Sequence, residues 1–182
     1  MTPLNLLLMF GLLLWTEEKK SSGFYLFSFI AFFWGMIVEV IGVNTSWLFG
    51  TYAYGAALGY KFMGVPWLMG IQWMVTISCS AHLLHFVLDK RKVRLNALPF
   101  ALVAAFITTL FDAALEPIAM EFDYWSWEND IIPFYNYVCW FMISLLLHWM
   151  KVYYFKRDYI NSFAAILFLI QFVFFQVLRI VL

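Results

Sequence analysis

Charge is scarce in this chain. Only 12% of its 182 residues are Asp, Glu, Lys or Arg, against roughly a quarter in soluble domains, which excludes an ordinary water-soluble globule. The charge that remains balances, 11 basic against 11 acidic, so no excess of one sign points to nucleic acid or to an acidic partner. Cysteine is nearly missing as well. Cys79 and Cys139 each stand inside an apolar segment, with no CxxC and no histidine at zinc-finger spacing, which argues for two buried free thiols and against a disulfide framework or a structural metal. The opening MTPLNLLLMFGLLLW lacks both a basic n-region and a small-residue cleavage site, and reads as retained protein rather than a signal peptide. Internal repeats, low-complexity tracts and linkers are also lacking, so residues 1–182 are expected to form one transmembrane domain.

What fills the chain instead is apolar: 65% of residues are hydrophobic and 22% aromatic. Apolar runs lie at about 3–16, 23–43, 66–88, 96–117, 134–154 and 161–181, and four or five of them reach the roughly 20 residues that a membrane crossing requires. The expected fold is all-α, a polytopic integral membrane bundle of about six helices. The first run is short for a full crossing and is expected to be tilted, half-inserted or interfacial. Lys19, Lys20, Lys90, Arg91, Lys92, Arg94, Lys151, Lys156 and Arg157 fall in alternate connections, whereas the opposite side carries Lys61 and Arg179. The positive-inside rule puts the first group in the cytoplasm.

Three acids interrupt the apolar runs: Glu39, Asp112 and Glu116. In the expected topology the second and fourth runs both travel outward, so all three fall toward the same, non-cytoplasmic end. A charged carboxylate at mid-membrane costs about 2.5–3.5 kcal/mol on the lenient insertion scale, and such residues usually face the bundle interior and mark function. Asp112 and Glu116, at i and i+4, share a helix face. Burial penalises the ionised form of a carboxyl and a second carboxylate nearby penalises it again, so the expected resting state is one proton held by the pair, with a third carboxyl in reach. That is equipment for acid and base chemistry. Pro117 removes an amide N–H and disfavours helical backbone at Glu116, so the helix is expected to kink or stop there. The bland alternative is a salt bridge from Arg179 to Glu39 or Glu116, or acids that reach the headgroups.

Other candidates carry weaker signals. His82 and His85 with His148 could form a metal triad, but no carboxylate falls at their depth and no multi-histidine box is present, so they read as interfacial histidines. Trp47, Phe49, Tyr52, Tyr54, Tyr60, Trp67, Tyr124, Trp125, Trp127 and Tyr135 crowd the two connections at the acidic end. They fit equally an interfacial aromatic belt and a pocket whose ring faces stabilise a cation.

Over residues 38 to 141 a set of motifs keeps its order: Glu39 with Ile41-Gly42, FG-x-Y-x-Y at 49–54, Gly64-Val65-Pro66, D-x-x-x-E-P at 112–117, W-x-W at 125–127, and Pro133-x-x-Asn136 before Trp140. This resembles the membrane carotenoid-biosynthesis family that contains the CruF-type carotenoid 1',2'-hydratases and bisanhydrobacterioruberin hydratase. The chain departs from the family in being shorter and in carrying Ile131-Ile132-Pro133 and Cys139-Trp140 where Gly-Ile-Pro and Gly-Trp are usual. Small glycine positions shape a pocket, so the resemblance bears on reaction class more than on substrate. It implies addition of water across the terminal 1,2 double bond of an acyclic carotenoid ψ-end of the lycopene, γ-carotene or bisanhydrobacterioruberin type, giving a tertiary alcohol. Glu39, Asp112 and Glu116 would be catalytic. Trp47, Phe49, Tyr52, Tyr54, Trp125, Trp127, Asn136 and Trp140 would contact the substrate. No cofactor or metal is required, the partners would be the carotenoid and membrane lipid, and the location would be a prokaryotic plasma membrane with the site toward the non-cytoplasmic side. A carotenoid end-group cyclase would use the same proton donor while excluding water. A proton-coupled carrier or lipid-binding protein would instead need access from both faces, yet the acids gather at one end.

Overall fold

The structure, a computed structural model, describes residues 2–155 and 160–181; Lys156 and Arg157, counted above toward orientation, lie outside the described residues. Six helices carry the fold: α1 (Thr2–Thr16), α2 (Ser22–Thr45), α3 (Leu68–Lys90), α4 (Ala97–Glu121), α5 (Phe134–Tyr154) and α6 (Ser162–Val181). Of these α2, α3, α4 and α6 are long and apolar enough to cross a membrane, while α1 is shorter. The chain is an all-α membrane bundle.

The reason for helices is the solvent. In lipid every backbone polar group must find its partner within the protein, and a helix does this locally. The side chains follow the same logic. Large apolar groups such as Phe29, Phe33 and Ile37 on α2 and Ile170, Val173 and Val177 on α6 face outward, while Ala31, Ala101, Ala104, Ala105, Ala164 and Ala165 are buried. Small residues between helices let the backbones approach. Gly35 is the extreme case: a Cβ there would lie 2.5 Å from Cβ of Trp73, so the α2–α3 contact requires glycine.

Polar ties fix the bundle. His148 Nε2 lies 3.0 Å from Thr108 Oγ1 and 3.3 Å from Ser80 Oγ, joining α5 to α4 and α3. The Asn161 amide N–H donates to His82 Nδ1 at 3.1 Å while its side chain accepts from Ala164 N–H at 3.0 Å, so one residue caps α6 and ties it to α3. His82 Nε2 in turn lies 3.9 Å from Glu17 Oε2 just beyond α1. His82 and His148 are both buried within the bundle, and His85 is half-buried against the Phe100 ring at 4.3 Å. Interhelical polar pairs of this kind satisfy groups that lipid cannot. Cys79 and Cys139 are buried free thiols.

α4 does not stop at Pro117 but runs on to Glu121. Proline removes a single helical bond, and neighbouring elements in a membrane protein can accommodate that loss; α4 packs more extensively against α5 than against any other element.

The two long connections at the end where α2 and α4 finish form a lid containing four short strands, β1 (Tyr52–Tyr54), β2 (Lys61–Phe62), β3 (Val65–Pro66) and β4 (Trp125–Trp127). β2 and β3 are antiparallel around Met63 and Gly64, both at positive φ, the backbone of a two-residue hairpin turn in which glycine is favoured. Asn44 on α2 donates to the Met63 carbonyl at 3.0 Å and anchors that hairpin. β1 and β4 come from different connections and pair antiparallel, with Tyr52 opposite Trp127 and Tyr54 opposite Trp125.

Candidate active site

The period of two in a strand decides what the lid presents inward. Along β1, Tyr52 and Tyr54 are buried and Ala53 exposed; along β4, Trp125 and Trp127 are buried and Ser126 exposed. Four aromatic rings therefore point down into the bundle, each with a polar tip. The Tyr52 and Tyr54 hydroxyls donate to Glu39 Oε2 at 2.6 and 2.7 Å. The Trp125 and Trp127 indole N–H groups donate to Glu116 Oε2 at 2.9 and 2.7 Å. β1 thus holds one carboxyl of the bundle and β4 another.

Two further donors come from below. Trp73 on α3 donates to Glu39 Oε1 at 2.9 Å. The Asn136 amide on α5 bridges two acids, donating to Glu116 Oε1 at 2.9 Å and to Asp112 Oδ2 at 3.2 Å. Glu39 and Glu116 each accept three hydrogen bonds, whereas Asp112 accepts one long one and its Oδ1 is buried with no hydrogen-bond partner. Exposure of the three acids is 3%, 2% and 1% for Glu39, Asp112 and Glu116, so none reaches headgroups. Among the described residues none of them joins a salt bridge, and Arg179 pairs with neither glutamate.

The acids surround a cavity of about 20 Å³, walled by Phe49, Tyr52, Tyr54, Met69, Trp125, Trp127, Asn136 and Trp140. That is room for about one water, among partners able to hydrogen-bond it. Trp140 lies face to face with Trp73 at 3.9 Å, and Tyr52 lies 5.1 Å from Trp127. Phe49 enters the wall on a left-handed backbone, φ 69°, an unusual conformation for a bulky side chain; its N–H donates to Cys139 Sγ at 3.4 Å. Burial first, and then the negative charge of Glu39, hold the Tyr52 and Tyr54 phenols well above the ordinary tyrosine range. They are donors to the carboxylate and stay protonated.

All three candidate acids and seven of the eight candidate substrate contacts line this one cavity. Trp47 does not. It follows the left-handed residue Ser46 that ends α2, is 72% exposed, and bonds through its backbone, donating to Thr45 Oγ1 at 3.1 Å and accepting from Tyr135 Oη at 3.2 Å. The aromatic set divides by residue: Trp47, Tyr60 and Trp67 are exposed, while Phe49, Tyr52, Tyr54, Trp125 and Trp127 are buried. Met69 and Trp73 escaped the sequence reading. Their spacing of four on α3 was the available signal, since it puts both on one helix face.

Residues 4–182 match the family described as carotenoid biosynthesis protein. The chain belongs to this family. It is similar to the bisanhydrobacterioruberin hydratase of Haloarcula japonica, 26% identical over 109 residues that make up 58% of this chain and 36% of that protein. The matched stretch is therefore little more than a third of that relative's length. No solved structure matches the chain.

Proposed function

We propose that this protein hydrates the terminal 1,2 double bond of an acyclic carotenoid ψ-end, in the membrane of a prokaryotic cell, to give a tertiary alcohol. The observation that carries the reading is the inequality of the three acids around a cavity the size of one water. An indole N–H can only donate, so Glu116 Oε2, which faces two of them, must accept, and Glu116 rests as the carboxylate that can serve as base. Glu39, with three donors, is likewise suited to the ionised form. Asp112 Oδ1 has nothing to accept from and is the natural seat of the proton.

The chemistry then follows in order. Asp112 gives its proton to C2 of the alkene, and the π electrons form the new C–H bond, leaving a tertiary cation at C1. The rings of the chamber shield that cation, at about 0.5–2 kcal/mol for each well-placed face, and the carboxylates of Glu39 and Glu116 oppose its charge. Water adds through oxygen to C1 and loses a proton to Glu116. That proton returns to Asp112, which shares the Asn136 amide with Glu116, and the cycle closes with one water consumed. A chamber that seats a water among the acids favours hydration over ring closure, which must exclude water.

The test is expression in a bacterial host that accumulates lycopene, with pigments compared by chromatography and mass. Wild type is expected to yield a more polar pigment heavier by one water, and Asp112→Asn and Glu116→Gln to yield none. An isomer of unchanged mass would replace this reading with a cyclase.

A further inference from the structure

A second cavity, about 660 Å³, lies beside the acid chamber, lined by α1, α3, α4, α6 and the lid. We propose that it is the substrate groove: it holds the polyene of a linear isoprenoid and delivers the terminal double bond to the acids. This inference rests on the reaction proposed above and names where the rest of that substrate lies.

Three observations support it. Met69 and Trp125 line both the acid chamber and this groove, so the two spaces share a wall, and Trp125 is hydrogen-bonded to Glu116. α4 lines both spaces from adjoining faces, with Asp112 and Glu116 in the chamber and Phe111 and Leu115, one residue before each, in the groove. The groove wall contains no Asp, Glu, Lys or Arg among the described residues, which suits an uncharged chain and no ionic headgroup. The chamber itself, at about 20 Å³, has no space for an isoprenoid end beside a water. The shared residue Met69 supplies the missing space: an unbranched thioether with three rotatable bonds changes shape more readily than any other wall of the chamber. A phospholipid acyl chain would also tolerate these walls, but it ends in a saturated methyl that offers the acids nothing to protonate.

The groove can be narrowed without touching the chamber. Ala57 and Leu178 line the groove alone, so the series Ala57→Val, Ala57→Leu and Ala57→Trp, with Leu178→Trp, is purified from the lycopene-accumulating host beside wild type and Asp112→Asn. Pigment and phospholipid per chain are measured by absorbance and phosphorus, with well-folded material selected by monodisperse elution. Wild type and Asp112→Asn should both retain lycopene-type pigment. The Ala57 series should lose it progressively, by about tenfold at Trp, the scale of a pocket steric mismatch, and Leu178→Trp should match. Pigment undiminished across the series, pigment absent from both wild type and Asp112→Asn, or a fall in phospholipid in place of pigment would overturn the groove. Pigment retained by wild type and lost on narrowing, with no hydrated product in any sample, would uphold the groove and overturn the reaction. Hydration by wild type with pigment unaffected by narrowing would do the reverse.

Discussion

If Glu39 is held as a carboxylate, the hydroxyl of Tyr54 donates to an ion, and Tyr54→Phe removes that one bond while leaving the ring that faces Trp125 at 6.0 Å. A hydrogen bond to a charged group contributes about 1.5–3 kcal/mol, and one between neutral groups about 0.5–1.5. Glu39→Gln keeps a hydrogen-bonding group facing the Tyr54 hydroxyl but removes the charge. Tyr54→Phe should then destabilise the wild-type protein by about 1.5–3 kcal/mol and the Glu39→Gln variant by about 0.5–1.5, a coupling of about 1–2 kcal/mol for groups in direct contact. In the Glu39→Gln background the amide oxygen accepts from the Trp73 indole, which can only donate, and the amide NH2 donates to the Tyr52 and Tyr54 hydroxyls, so the side chain keeps partners in both backgrounds and the difference reports charge rather than an orphaned group. Reversible denaturant unfolding in mixed micelles measures all four proteins. Equal costs in the two backgrounds would refute the assignment of Glu39 as the ionised member of the trio.

Three further expectations follow from the same contacts. A Cβ on Gly42 would sit 2.7 Å from Tyr52 Oη and 2.9 Å from the Phe49 ring; Gly42→Ala should push Tyr52 off Glu39 and cost about 1–3 kcal/mol, and adding Tyr52→Phe should recover part of that loss in the same unfolding assay. Tyr52 and Tyr54 have phenols raised above the ordinary range by burial and by Glu39, so their contribution to stability is complete below about pH 10 and falls only as pH climbs from there through their elevated folded values; ultraviolet titration should show a late tyrosinate component that the double Phe variant lacks. Asn136→Leu removes the donor shared by Asp112 and Glu116, leaving Asp112 Oδ2 and Glu116 Oε1 unpaired at a cost of about 1–3 kcal/mol each, and should lower pigment conversion in cells more than it lowers protein level.

The helices were legible because a bilayer imposes their length: the apolar runs and the observed helices differ at their ends by a few residues. The depth of Glu39, Asp112 and Glu116 followed from topology, since adjacent crossings run in opposite directions. What the sequence did not disclose was pairing. Tyr52-x-Tyr54 and Trp125-x-Trp127 each show the alternation of a strand, but three residues are too few to announce one, and the strands become inward-facing only when they pair with each other across 71 positions of chain, Tyr54 with Trp125. Until that pairing is known, Trp47 is indistinguishable from Trp127. Likewise His148 looks interfacial by hydropathy, because the hydroxyls of Ser80 and Thr108 that allow it to be buried lie on other helices. Pro117 reads as a kink or a stop, and that α4 runs on past it to Glu121 depends on packing that is tertiary.

The central claim is that Asp112 protonates C2 and water adds at C1. Purified protein in vesicles containing lycopene, run in deuterium oxide enriched in oxygen-18, tests it most directly. The account predicts an alcohol carrying one deuterium at C2 and one oxygen-18 at C1, formed by wild type and reduced by about 10²–10⁴-fold in Asp112→Asn, the usual contribution of general acid–base catalysis. A product with deuterium but no labelled oxygen, or labelled alcohol formed equally well by Asp112→Asn, would contradict it.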